Sequence, residues 1–82
     1  MQLKLKVLLN GVDIVKAFVN TVTKFTEDFD LVSGRYVIDG KSIMGIFSLD
    51  LSKPVELVVH TEETDNDTIE KIKEALKEFC YD

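Results

Sequence analysis

The middle of the chain reads Lys41-Ser42-Ile43-Met44-Gly45-Ile46-Phe47-Ser48-Leu49. Ser42 is suited to cap a helix from Ile43 to about Leu49, because its hydroxyl can accept a hydrogen bond from a free amide of the first turn. Pro54 follows soon after, and a proline ends the structure that precedes it. The segment therefore predicts a helix of only two turns, and this short length helps to choose between the folds that the rest of the pattern allows.

Alternating apolar and polar residues on both sides of this helix predict four strands. The residues expected on one face of the first strand, over 2–9, are Leu3, Leu5, Val7 and Leu9. Residues 28–33 and 36–38 form a predicted hairpin that turns at Gly34-Arg35, and the fourth strand covers residues 55–60. Four such strands are enough for an antiparallel sheet.

Two longer helices complete the pattern. Asn10, with Asp13 three residues later, is expected to cap the first helix, which runs to about Thr23. Thr64 or Asp65 is expected to cap the last helix. The apolar positions with helical spacing are Val12, Val15, Val19 and Val22 in the first helix and Ile69, Ile72, Leu76 and Phe79 in the last.

The element order βαββαβα predicts an α+β fold in which three helices cover one face of a four-stranded antiparallel sheet. A ferredoxin-like fold shares the first six elements, but its two helices are of similar length. The short second helix and the additional last helix favour an open-faced β-sandwich. We expect residues 1–82 to form a single domain.

Size and charge exclude several classes of protein. A chain of 82 residues buries only roughly 60% of the surface that its unfolded form exposes, so it has no room for a deep substrate cavity. Its net charge of -5 argues against nucleic acid, because that affinity comes largely from Lys and Arg. Its apolar runs are far shorter than the ~20 residues of a membrane span. Proteins or small molecules are the expected partners.

Groups that could carry chemistry are scarce. The single histidine, His60, falls at the end of the fourth strand, and the single cysteine, Cys80, cannot form an internal disulfide. A lone cysteine suits a reducing compartment, so we expect a cytoplasmic protein. No Cys or His residues have metal-ligand spacing. The sequence therefore predicts a protein that is not an enzyme and uses no cofactor or metal ion.

The short central helix carries more apolar residues than it can bury. Ile46 and Leu49 are suited to face the sheet, which leaves Ile43, Met44 and Phe47 as an exposed patch. Such a patch, particularly one with a flexible Met, is typical of a site that docks another protein. The alternative is that Phe47 or Ile43 folds inward as additional core.

Ser42 has two possible roles. As a cap it contributes about 1 kcal/mol to stability. A phosphate at the same position would meet the free amides of the first turn, with Lys41 beside it as a possible counter-charge. Phosphorylation would then change the charge beside the apolar patch without unfolding the helix.

The run from Lys41 to Gly45, followed by Ser48-Leu49, resembles the serine-phosphorylation motif of the histidine-containing phosphocarrier (HPr) family of the bacterial sugar phosphotransferase system. The resemblance extends from Phe18-Val19 through Phe25-Thr26 and the Ser33-Gly34 turn to the strand after Pro54, in the same element order. It implies the HPr-like open-faced β-sandwich.

The family's active site is where the chain departs from the pattern. Family members have Gly-Leu-His-x-Arg-Pro-Ala at the start of the first helix, and the His receives phosphate from phosphoenolpyruvate by way of enzyme I. The corresponding stretch here is Leu9-Asn10-Gly11-Val12-Asp13-Ile14-Val15. Gly11 stands in place of the His, to within one residue, and Asp13 stands in place of the Arg. Gly and Asn cannot carry phosphate, and Asp13 would repel it, so Asn10, Gly11 and Asp13 form a degenerate carrier site.

What remains is similar to the catabolite-repression HPr homologue of Gram-positive bacteria, in which the His is also replaced. This resemblance implies that HPr kinase/phosphorylase phosphorylates Ser42, and that Ile43, Met44 and Phe47 dock a transcriptional regulator or phosphotransferase components.

The main hypothesis is a regulatory docking protein without phosphocarrier activity. The alternatives are an active phosphocarrier, which the missing His opposes, and a drifted paralogue with no signalling role. An enzyme or metal module on a ferredoxin-like scaffold would need an Arg-bearing loop or CxxC after the first strand, and the sequence has neither.

Overall fold

The computed structural model describes residues 2–61 and 66–81. One antiparallel sheet has the strand order β1-β4-β2-β3. The predicted α+β open-faced sandwich with the order βαββαβα is confirmed. The strands are β1 Gln2–Val7, β2 Asp28–Ser33, β3 Tyr36–Asp39 and β4 Val55–His60, and the helices are α1 Val12–Val22, α2 Ile43–Phe47 and α3 Asn66–Leu76, followed by a 3₁₀ turn at Lys77–Phe79.

The core lies between the sheet and one layer of helices. The inner face of the sheet supplies Phe29, Leu31, Leu57 and Val59, all essentially inaccessible to solvent. Burying an apolar side chain of this size contributes about 1.5–3 kcal/mol. Onto this face the helices direct Val15, Phe18 and Val22 from α1, Ile46 from α2 and Ile69, Ile72 and Leu76 from α3.

The C-terminal segment closes one edge of the sheet. The amide of Leu8 donates to the carbonyl of Phe79 at 2.9 Å, and the amide of Tyr81 donates to the carbonyl of Lys6 at 2.9 Å. The Phe79 ring meets the Phe18 ring edge to face, with 5.5 Å between the ring centres. The end of the chain is thereby tied both to β1 and to α1.

The first strand and first helix differ from the prediction in their boundaries. β1 ends at Val7, because the next amide pairs with Phe79 rather than with β4. Asn10 does not cap α1, since the N-cap is Gly11 and no side chain bonds to the first turn. Val12, predicted on the apolar stripe, is 56% exposed, and Phe18 is buried instead.

The other helices also differ in length. α2 ends at Phe47 rather than near Leu49, and Ser48 is its C-cap. The predicted cap of the last helix, Thr64 or Asp65, lies outside the described residues. α3 ends at Leu76, although Phe79 in the following 3₁₀ turn is buried as the pattern predicted. Within the described ranges, no helix has both the length and the hydrophobicity to cross a bilayer.

Candidate functional site

A tight turn after β3 sets the position of α2. The amide of Gly40 donates to the carbonyl of Phe29 at 2.6 Å, and the amide of Ser42 donates to the carbonyl of Asp39 at 3.0 Å. The Asp39 carboxylate accepts a further bond from the amide of Lys41 at 2.9 Å. These bonds hold Ser42 at the point where the chain enters the helix.

Ser42 is the N-cap of α2, as the sequence predicted. Its backbone is extended (φ -99°, ψ 103°), and its Oγ accepts a hydrogen bond from the amide of Gly45 at 3.2 Å. Its carbonyl accepts the bond from the amide of Ile46 at 3.0 Å. Ser42 is half-buried, so part of the residue is accessible to solvent.

Gly45 allows α2 to approach the sheet, a role the sequence analysis missed. A Cβ at this position would lie 2.7 Å from Cγ2 of Ile38 on β3 and 3.2 Å from the Ser42 Oγ. Real Cβ atoms essentially never come that close, so a larger residue at position 45 would require Ile38 or α2 to shift. A glycine inside a two-turn helix is the signal that could have indicated this close packing.

The ammonium group of Lys41 is occupied away from Ser42. Its Nζ donates to the carbonyl of Phe25 at 2.8 Å and lies 5.7 Å from the centre of the Phe29 ring. Lys41 as a possible counter-charge to a phosphate on Ser42 therefore stays a prediction, and it would require the Nζ to leave the Phe25 carbonyl. The side chain links the turn before α2 to the loop between α1 and β2.

The outer face of α2 is apolar at two of the three predicted positions. Met44 is 79% exposed and Phe47 is 42% exposed. Ile43 is half-buried and packs against the core, so the alternative that Ile43 folds inward is confirmed and its place in the exposed patch is corrected. Ile46 is completely buried, and Leu49 is half-buried against the core. The exposed apolar surface of α2 is therefore formed mainly by Met44 and Phe47.

The start of α1 holds the three residues that the sequence predicts to form a degenerate carrier site, Asn10, Gly11 and Asp13. Gly11 has φ 143° and ψ 147°, a region that is nearly exclusive to glycine. Asn10 is exposed, and Asp13 is an acid in the first turn. This site therefore has a backbone conformation unsuited to a larger residue and a negative charge beside it.

His60 lies at the other end of the sheet from the start of α1. Val7 pairs with Val55, whereas His60 is five residues further along β4, about 17 Å at a strand rise of roughly 3.4 Å per residue. His60 Nε2 lies 2.8 Å from Oδ2 of Asp30.

Cys80 is exposed, and its Sγ donates to the carbonyl of Leu76 at 3.4 Å. In residues 2–61 and 66–81, no group of three or more His, Cys, Asp or Glu side chains could hold a metal ion.

Comparison with known proteins adds to this geometry. The family model described as "PTS HPr component phosphorylation site" matches residues 13–78, a range that includes Ser42 and begins after Gly11. The crystal structure of HPr-C-His from Thermoanaerobacter tengcongensis has the same fold, with a TM-score of 0.69 over 94% of this chain and 91% of that chain at 21% sequence identity. No curated protein sequence matches the chain.

Proposed function

The chain belongs to the HPr family of the sugar phosphotransferase system, and we propose that it acts there as a regulatory docking protein without histidine phosphocarrier activity. It is not an enzyme in this proposal, it needs no cofactor, and it works in the cytoplasm through other proteins. HPr kinase/phosphorylase, a transcriptional regulator or phosphotransferase components are the proposed partners.

The start of α1 is the observation that carries the proposal. A phosphocarrier needs a nucleophilic nitrogen there, and this chain has Gly11 in a conformation that a larger residue cannot adopt without strain of about 1–3 kcal/mol. Asp13 adds a negative charge that opposes a phosphoryl group. The only histidine, His60, is at the far end of β4 and contacts Asp30. These features support the loss of the carrier reaction.

Ser42 is the proposed site of regulation. Ser42 is partly accessible and its hydroxyl accepts one cap bond, so a kinase needs to displace only the Gly45 amide. A phosphate there would add about two negative charges and accept bonds from first-turn amides that lack intrahelical partners. α2 has only five residues, so the stabilisation from its dipole is small. Phosphorylation is therefore expected to change partner binding more than folding.

Met44 and Phe47 form the centre of the proposed docking surface, with Ile43 at its base. Met44 has three rotatable bonds and adapts to different partner surfaces. Phe47 supplies a larger rigid contact, and aromatic side chains often dominate binding energy at interfaces. Because Ser42 immediately precedes these residues, a phosphate on it would change the charge at the edge of the docking surface.

Phosphorylation by HPr kinase/phosphorylase with ATP tests Ser42 as the phosphate acceptor and Met44 as part of the docking surface. We expect Ser42 to be modified in the natural chain, and Met44→Asp to lower the rate at least about tenfold, equivalent to ~1.4 kcal/mol of lost interaction. Val37→Asp is the matched control, because Val37 is 63% exposed on β3. If a kinase preparation labels an ordinary HPr but leaves this chain unlabelled, Ser42 acts only as a structural cap.

A further inference from the structure

A shallow groove separates the first turns of α1 from the 3₁₀ turn at Lys77–Phe79. Its volume is about 240 Å³, and its lining residues are Leu8, Asp13, Ile14, Ala17, Glu78 and Phe79. Small-molecule sites usually measure about 300–1,000 Å³. The groove is therefore the size of one inserted side chain rather than of a bound metabolite.

The walls of the groove are apolar and firmly held. Phe79 is buried and locked against Phe18, and the hydrogen bond from the Leu8 amide to the Phe79 carbonyl joins the two sides. Ile14 is 40% exposed along the rim of the groove. A partner would therefore meet a preformed apolar surface and would not have to order it.

The rim is negatively charged. Asp13 lies on one side and Glu78 on the other, and both are exposed. Among the described residues, neither carboxylate has an ion pair or a hydrogen bond. Lys77 pairs with Glu74 at 3.6 Å instead, and Lys16, three residues after Asp13, forms no ion pair with it. The two carboxylates are thus available to a cation from outside.

We propose that this groove binds an arginine side chain on an apolar segment of a partner protein. The aliphatic stem of the arginine and a neighbouring apolar side chain cover Ile14 and Phe79, and the guanidinium group donates to the Asp13 and Glu78 carboxylates. Arginine suits this site because its planar head forms paired bonds with carboxylates. The groove shares Asp13 with the degenerate carrier site but is separate from Met44 and Phe47, so the inference does not depend on docking at α2.

The probe is the acetylated and amidated tripeptide Leu-Arg-Leu, titrated into the isotope-labelled full chain and followed by two-dimensional NMR. We expect saturable shifts of the amide signals of Ile14, Ala17 and Phe79. The matched peptide with Glu in place of Arg should leave these signals unchanged. Adding salt should weaken the binding of the Arg peptide, since the rim charges are exposed.

Two double variants separate the rim from a general effect of charge. Asp13→Asn with Glu78→Gln should weaken peptide binding at least about tenfold, whereas Glu56→Gln with Glu70→Gln removes as much charge elsewhere and should change it less than twofold. Met44→Asp should leave the binding intact, which separates this site from the docking surface on α2. Absence of saturable shifts, equal shifts with the Glu peptide, or unchanged binding to the rim variant would each overturn the inference.

Discussion

The starts of α1 and α2 are built in opposite ways. At α2, Ser42 has ordinary extended geometry and its hydroxyl caps the helix. At α1, Gly11 has φ 143°, no side chain bonds to the first turn, and an acid follows two residues later. The start of α2 therefore has a side-chain cap, whereas the start of α1 has none and places a glycine in a conformation that larger residues rarely adopt. This contrast supports the proposal that the chain keeps a regulatory position at Ser42 although the carrier position has degenerated.

The largest expected effect is the difference in stability between a substitution on the buried face of α2 and one on its exposed face. It tests whether the exposed face is free to dock a partner. Ile46 is completely inaccessible to solvent, so Ile46→Asp would bury an unpaired charge. We expect this to lower the free energy of unfolding by about 4 kcal/mol or more. Met44→Asp on the exposed face should change the free energy of unfolding by no more than about 0.5 kcal/mol. Urea unfolding followed by circular dichroism measures both. A loss of several kcal/mol from Met44→Asp would mean that this face is structural and that α2 has no free surface for docking.

The next prediction concerns the conformation at the start of α1. Gly11→His should cost about 1–3 kcal/mol, because the backbone there has a φ that side chains rarely adopt. Asn10→His is the matched control: Asn10 is exposed with no positive φ, so its replacement should change stability by no more than about 0.5 kcal/mol. Equal stability of the two variants in thermal unfolding would show that conformation does not oppose a histidine at position 11.

A smaller difference in stability is expected between Ser42, which caps α2, and Asn10, which the sequence predicted as a cap of α1 but which does not cap it. Ser42→Ala should cost about 1 kcal/mol, since it leaves the Gly45 amide without its partner, and it should also block phosphorylation by HPr kinase/phosphorylase. Asn10→Ala should cost close to nothing, because Asn10 does not cap α1. Chemical denaturation of the two variants side by side measures the difference. A larger loss from Asn10→Ala than from Ser42→Ala would reverse the comparison between the helix starts.

Alternation and spacing were enough to predict the fold but not its details. The strands follow from the period of two in residues such as Leu57 and Val59, which pack on one face. The Ser42 cap was predictable because its signal is local, lying three residues from the Gly45 amide. The position of Lys41 was not, because its Nζ binds a carbonyl sixteen residues earlier in the chain. Likewise, the close approach of Gly45 to Ile38 on β3 joins two elements, so the local pattern of α2 does not predict it.

The most direct measurement of the central claim is incubation of the chain with phosphoenolpyruvate and enzyme I, followed by mass spectrometry under conditions that preserve acid-labile phosphate. An ordinary HPr in the same tube confirms that the relay is active. We expect the control to be phosphorylated and this chain to remain unmodified, because His60 lies at the far end of β4 from the start of α1. A phosphohistidine at His60, or phosphate passed from this chain to a sugar transporter, would contradict the claim that the carrier reaction has been lost.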